Sequence, residues 1–206
     1  MTSLIVFISW LTAKIATSKR DRTETMRDFW AKERASNAVV RKSLDDLDYI
    51  TFPFEILPSE DSFTLMDQNI PSSLLMLQNL RGKKIVNLSG MSNSDLKLTY
   101  GTANLTVLTE YDENFLTLCR EGHLLTQYLY ENERLSEAQN ISEALIACGS
   151  DVSGQFTLLA TIYERTGQED KREGLVAIAE QMSSSRKNAI VRALNELDLS
   201  SPEQSS

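Results

Sequence analysis

The feature that most constrains the fold of this chain is a repetition of apolar residues in its second half, at a fixed interval of 34 positions. Helical apolar patterns run from Thr109 to Leu197, and each can be laid over a later one at this repeat interval. The matched pairs are Leu124 and Leu158, Leu125 and Leu159, Ile141 and Leu175, Leu145 and Ala179, Cys148 and Met182, Phe156 and Ile190, and Tyr163 and Leu197. A fixed period of this length is typical of stacked helical hairpins, in which each unit buries its apolar face against its neighbours.

The joints between these patterns are very short, which predicts antiparallel neighbouring helices. Gly149 and Gly167 stand where helices are expected to end. The whole chain has only eight Gly and four Pro, which argues against a turn-rich β-sandwich. We therefore predict a mainly α fold built from antiparallel helical hairpins.

The stretch "FTLLATIYERTGQ" resembles the tetratricopeptide repeat (TPR) family, and the resemblance extends over 113–197. The residues that carry it are Phe156 in place of the family's tryptophan, Leu159 and Ala160 as its packing pair, Tyr163 as its tyrosine and Gly167 as its turn glycine. Two positions depart from the family pattern, because Arg172 replaces a small residue and Glu133 replaces a glycine. The resemblance implies that the hairpins stack as a short TPR-like solenoid.

The same resemblance implies a binding groove lined by the first helix of each hairpin. Its residues would be His123, Gln127, Tyr130, Thr157, Thr161 and Glu164. These fall into three pairs, and the members of each pair are separated by the repeat interval. The alternative is that all six are ordinary exposed side chains.

The N-terminus is apolar, with thirteen uncharged residues before Lys14 and four basic residues between Lys14 and Arg22. A spanning helix needs about 20 apolar residues, so a membrane anchor requires Lys14 to snorkel. The following positive charges would hold the rest of the chain on the cytoplasmic side. The alternative is a buried helix of a soluble protein. This N-terminus combined with "SNSDLKLTYGTANL" and "CGSDVSG" is also similar to a group of short, uncharacterised bacterial membrane-anchored proteins.

These patterns divide the chain into five parts. We expect a hydrophobic anchor helix at 1–18, a basic juxtamembrane amphipathic helix at 19–48, an irregular middle segment with short helices capping the array at 49–110, the TPR-like domain at 111–198, and a disordered tail at 199–206. Within the middle segment, Ser92 and Asp95 have the spacing of a capping box, and Gly101 follows as a helix terminator. The segment "KKIVNLSG" is compatible with either a short strand or a loop.

The chemistry-bearing residues do not form a recognisable site. Cys119 and His123 share a helix face, but no second Cys or His pair is spaced to complete a metal site. No phosphate-binding loop or nucleophile elbow is present. We therefore assign no catalytic, cofactor-binding or metal-binding residues and no cofactor.

The charge distribution bears on the partner. The chain has a net charge of −8, and an acidic protein is poorly suited to bind a phosphate backbone, so we expect no nucleic-acid partner. The sequence predicts a non-enzymatic, membrane-tethered adaptor or scaffold that binds a protein or peptide. Its expected location is the cell membrane, single-pass, with the C-terminal domain cytoplasmic. The alternatives are a soluble, cytoplasmic helical domain whose hairpins serve oligomerisation, and an enzyme of unrecognised type.

Overall fold

The computed structural model describes residues 26–28, 30–34, 42–65 and 69–200, and for 198–200 it describes the backbone alone. The described part is mainly helical, and its helices pack against one another. Residues 26–28 and 30–34 are helical. The α-helices that follow are α1 (Asp61–Thr64), α2 (Ser72–Gln78), α3 (Asn93–Tyr100), α4 (Leu105–Glu131), α5 (Leu135–Ala147), α6 (Ser153–Arg165), α7 (Glu169–Gln181) and α8 (Lys187–Ser200). Single 3-10 turns occur at Phe54–Ile56 and Thr102–Asn104.

The chain divides into two compact units. The first contains the described residues up to Asp46 together with Met91–Thr106. Its helix α3 begins with a capping box, since the Ser92 hydroxyl accepts from the Asp95 amide while the Asp95 carboxylate accepts from the Ser92 amide. Hydrogen bonds from Lys32 and from Ser92 lower the pKa of Asp95 to about 2. The helix ends at Gly101, which has a φ of 88°. The capping box and the terminator predicted for this helix are therefore confirmed.

The second unit contains Leu47–Gly90 and the chain from Val107 onward. Its core includes one apolar cluster in which α4 and α5 pack together with the middle segment. That cluster includes Phe52, Phe63, Leu74, Leu77, Phe115, Leu118, Leu125, Leu129, Ile141 and Leu145. Residues 47–90 therefore cover apolar surface of the α4–α5 hairpin. The segment around Val86 contributes an isolated antiparallel bridge to Tyr49 rather than a strand.

A second apolar cluster joins α6, α7 and α8. Its buried members include Phe156, Leu159, Ala160, Tyr163, Leu175, Ala179, Ile190 and Leu194. Helix α6 belongs to both clusters, because Ile162 packs into the first while Phe156 packs into the second. In order along the chain, α5 packs on α6, α6 on α7, and α7 on α8, and α6 also contacts α8.

The helix boundaries follow the repeat interval seen in the sequence. Helices α5 and α7 each have 13 residues, and their first residues, Leu135 and Glu169, are one repeat interval apart. The first residues of α6 and α8, Ser153 and Lys187, have the same separation. Four matched pairs are buried on both sides: Leu125 and Leu159, Ile141 and Leu175, Leu145 and Ala179, and Phe156 and Ile190. The other three pairs depart from this rule. Leu124 is 47% exposed, and its partner Leu158 is only partly buried. Cys148 and Met182 are both partly buried, as is Leu197, the partner of the buried Tyr163.

The expectation of a single-pass membrane protein is contradicted. Among the described residues, none of the helices is both long enough and apolar enough to cross a bilayer. The longest, α4, carries five acidic side chains and one arginine, which a bilayer core does not accommodate. Neither the transmembrane assignment nor the membrane location is retained. The expected anchor at 1–18 and residues 201–206 of the tail lie outside the described residues.

Candidate functional site

The structure brings five of the six predicted groove residues onto one surface depression between α4 and α6. This depression, which we call the α4–α6 groove, has a volume of about 350 Å³. It is lined by His123, Gln127, Tyr130 and Glu131 of α4, by Gly154, Thr157, Leu158 and Thr161 of α6, and by Leu197 of α8. Glu164, the sixth predicted residue, is not among the residues that line it. Glu131, Gly154, Leu158 and Leu197 are lining residues that the sequence did not assign to the groove.

His123 is held at the groove wall by a buried amide. Gln155 is fully buried, and its side-chain nitrogen donates to the Ser142 hydroxyl on α5. The Gln155 oxygen therefore faces His123 and accepts from Nδ1 at 3.2 Å. In the neutral imidazole this leaves Nε2 as a hydrogen-bond acceptor. The ring also lies close to the α6 backbone, because a methyl group on Gly154 would come within 2.9 Å of Nε2.

The two groove threonines are engaged with their own helix. The Thr157 hydroxyl donates to the Gly154 carbonyl at 3.2 Å, and the Thr161 hydroxyl donates to the Thr157 carbonyl at 3.0 Å. Each hydroxyl proton is thereby committed, while the oxygen keeps its capacity to accept. Both threonines therefore present acceptor oxygens.

At the end of α4 the groove has an acidic edge. The side-chain nitrogen of Gln127 donates to Glu131 at 3.0 Å, so the Gln127 amide is oriented along the helix by the carboxylate one turn later. The Tyr130 ring is covered by the guanidinium of Arg165, whose central carbon lies 5.0 Å from the ring centre. Arg165 also donates to Glu133 at 2.6 Å. These contacts join α6 to the end of α4 and fix the tyrosine.

The structure contains a second depression that the sequence did not indicate. Two adjoining cavities, of about 410 and 610 Å³, are both lined by Asp48, Asn87 and Gly149. The smaller also contacts Cys148, and the larger contacts Asp151 and the serines at 183–185. These residues come from four separate loop regions, and a local sequence pattern does not reveal such an assembly. The Ser184 hydroxyl donates to Asp151 at 2.6 Å, which places a carboxylate in this cleft.

Neither cysteine is an activated nucleophile. Burial raises the pKa of the Cys119 thiol to about 12, against a smaller lowering effect of the nearby Ser150 side chain. Burial also raises the pKa of Cys148. A reactive cysteine needs the opposite shift, because the thiolate is the nucleophile. His123, which shares a helix face with Cys119, hydrogen-bonds to Gln155.

Within the described ranges, we find no group of three His, Cys, Asp or Glu side chains placed to hold a metal ion.

A polar network ties the back of the hairpins together. Glu143 of α5 accepts from Tyr163 at 2.9 Å and from Lys171 at 3.0 Å, so one carboxylate contacts both α6 and α7. Burial by itself would raise the pKa of Glu143, but hydrogen bonds from Gln139, Lys171 and Tyr163 outweigh it and lower the pKa. The amides of Gln139 and Gln168 also donate to each other, at 2.7 and 3.2 Å. The lining of the α4–α6 groove includes none of these five residues.

Comparison with known proteins does not assign a family. No protein-family model, curated protein or solved structure matches the chain significantly. The resemblance to tetratricopeptide repeats therefore stays a prediction made from the residues quoted above.

Proposed function

We propose that this protein is a non-enzymatic binding module whose helices α4 to α8 stack as a short TPR-like array and hold a segment of a partner protein in the α4–α6 groove. The observation that carries the proposal is the pairing of groove residues across two helices. His123 and Thr157 are one repeat interval apart, as are Gln127 and Thr161, and all four line the same depression. In a stacked array, the same face of successive first helices lines one continuous surface.

The lining of the groove supports binding rather than chemistry. It combines the apolar surface of Leu158, Leu197 and the Tyr130 ring with a few oriented polar groups, which is the composition expected of a recognition site. Catalytic sites commonly contain a nucleophile, or an acid and a base, with altered pKa values. Both cysteines have pKa values shifted away from reactivity. The groove is also open, as a site for an extended or helical segment must be.

The proposal is tested by photo-cross-linking in the cells that produce the protein. A benzophenone amino acid is placed at Thr157 in the groove or, as the matched control, at Ile178 on α7, which is 47% exposed and lies outside the groove lining. We expect a protein adduct from position 157 that is absent from position 178. The adduct should disappear when Thr161→Trp is added to fill the groove. Identical adducts from both positions, or an adduct that persists with Thr161→Trp, would contradict the proposal.

A further inference from the structure

We infer that the α4–α6 groove selects a cationic, donor-rich segment, in which lysine or arginine side chains flank an apolar residue. The inference rests on the proposed function and names the chemistry of the partner. It follows from the direction of the hydrogen bonds around the groove and from the charge of the helices that form it.

The polar groups of the groove act chiefly as acceptors. The hydroxyl protons of Thr157 and Thr161 are donated to backbone carbonyls of α6, so their oxygens are left to accept. The proton on Nδ1 of His123 is donated to Gln155, so the neutral ring offers Nε2 as an acceptor. A ligand rich in hydrogen-bond acceptors would place its acceptors against the acceptors of the groove. Polar groups left without a hydrogen bond in a contact cost free energy of binding.

The pair formed by Gln127 and Glu131 also offers mainly hydrogen-bond acceptors. One amide proton of Gln127 is donated to Glu131, so the pair keeps one N–H donor against the amide oxygen and the remaining carboxylate lone pairs as acceptors. A carboxylate at the rim pairs best with an ammonium or guanidinium group. Lysine and arginine are charged side chains that carry several donors and no acceptor.

The helices that form the groove differ in charge, and α4 is the acidic one. Helix α4 contains five acidic residues and one arginine, while α6 contains one of each. Arg165, the basic residue of α6, contacts Glu133 and the face of Tyr130. The groove lining itself carries one carboxylate, that of Glu131, which attracts cationic segments and speeds their association.

An apolar residue completes the expected segment. Leu158 and Leu197 line the groove together with the Tyr130 ring, and these surfaces are matched by an aliphatic or aromatic side chain. The long stems of lysine and arginine also cover apolar surface while their charged ends reach the rim. The segment that fits is therefore basic at its flanks and apolar at its centre.

The test uses a display library of random peptides selected on the full chain. Peptides are kept when they bind the wild-type protein and lose binding to Thr161→Trp, which fills the groove without changing the net charge. Ile178→Trp is the matched control, because it adds the same side chain outside the groove lining. This filter removes basic peptides that bind the acidic surface elsewhere.

We expect the groove-dependent peptides to be enriched in lysine and arginine and depleted of aspartate and glutamate. Glu131→Gln should weaken their binding at least about threefold, and raised ionic strength should weaken it further, because exposed charges are screened. Groove-dependent peptides that are neutral or acidic would overturn this inference while leaving the proposed function standing. The absence of groove-dependent peptides would overturn both. If Thr161→Trp instead dissociates an oligomer of the wild-type protein, the occupant is a second copy of this chain and the inference is wrong.

Discussion

Glu133 and Gly167, which are one repeat interval apart, close equivalent turns with nearly the same backbone geometry. The φ of Glu133 is 59° and that of Gly167 is 66°. Arg134 then donates its amide proton to the Leu129 carbonyl, and Gln168 donates to the Tyr163 carbonyl, both at 2.9 Å. Glu133 is the only non-glycine residue with a positive φ among those described. The first turn therefore has the same shape with glutamate in place of glycine, at the cost of backbone strain.

Replacing the glycine of the second turn should show the energetic requirement of this geometry. We expect Gly167→Ala to lower the free energy of unfolding by about 1 kcal/mol, because a side chain is disfavoured at positive φ. The added methyl group would meet no atom within 4 Å, so steric crowding does not contribute. The measurement is urea denaturation followed by circular dichroism.

Gly174 provides the matched control for that substitution. It lies within α7, has no positive φ, and a methyl group there would also meet no atom within 4 Å. Gly174→Ala should therefore raise stability by about 0.5–1 kcal/mol, because alanine favours helix over glycine. If Gly167→Ala proved as stable as Gly174→Ala, the strained turn would not be a feature of the folded protein.

Gly122 permits the close approach of α4 and α5. A methyl group on Gly122 would lie 2.6 Å from Cδ1 of Leu145, which is fully buried and has little room to move. We expect Gly122→Ala to destabilise the protein by about 1–3 kcal/mol through overpacking. In a Leu145→Ala background the same change should cost much less, and a double-mutant cycle measures that coupling. Additive effects of the two substitutions would contradict the contact.

The shifted pKa of Cys119 predicts its reactivity. With a pKa of about 12 instead of 9.0, the thiolate fraction at pH 8 falls about a thousandfold. We expect iodoacetamide to leave Cys119 unmodified in the native protein and to modify it at an ordinary rate in urea. Mass spectrometry of wild type and Cys119→Ala assigns the modified residue. Native-state modification of Cys119 at the rate of a free thiol would show that the thiol is not buried.

The same shift predicts loss of stability in alkali. Between pH 9 and the native pKa of about 12, the unfolded chain has lost the Cys119 proton while the native chain keeps it. The native state then binds more protons, so the free energy of unfolding falls as pH rises, by up to about 1.4 kcal/mol per pH unit. Cys119→Ala should flatten this dependence between pH 9 and 10. An unchanged slope in that variant would assign the effect to other groups.

The Tyr163–Glu143 hydrogen bond should contribute to stability in a pH-dependent way. We expect Tyr163→Phe to lose about 1–2 kcal/mol at pH 7, as is typical of a hydrogen bond to a charged group. The ordinary pKa of glutamate is 4.5, and the native pKa of Glu143 is lower. The stabilisation from its charged form is therefore fully present above pH 4.5, and it is lost as the pH falls through the lowered native pKa. The difference between wild type and Tyr163→Phe should therefore shrink as the pH falls below 4.5. In a Glu143→Gln background, a loss as large at pH 7 would contradict the assignment.

Local signals in the sequence predicted the helices that have clear caps and terminators or a strong apolar periodicity. Ser92, Asp95 and Gly101 fixed both ends of α3, because caps and terminators act within one turn of backbone. The repeat interval predicted several buried positions of α5 to α8, such as Ile141 and Leu175, since a repeated hairpin buries the same face each time. Five of the six residues expected to share a surface also line one groove.

The features that sequence reasoning missed depend on long-range contacts. Helix α1 has four residues, and Arg134, 72 positions after Ser62, donates to that serine at 2.9 Å and stacks on Phe63 at 4.3 Å. No local sequence pattern predicts such a short helix. The cleft containing Asp48, Asn87 and Cys148 likewise forms between loops distant in sequence. Glu164 was placed in the groove by its spacing from Tyr130, but the groove lining does not include it.

The most direct test of the proposed binding surface is an amide chemical-shift map of the full chain during titration with a groove-dependent library peptide. We predict the largest shifts at His123, Gln127, Thr157 and Thr161, with the amide of Ile178 unchanged. Shifts concentrated instead around Asn87 and Cys148, or on the exposed face of α7, would show that the α4–α6 groove is not the binding surface of this protein.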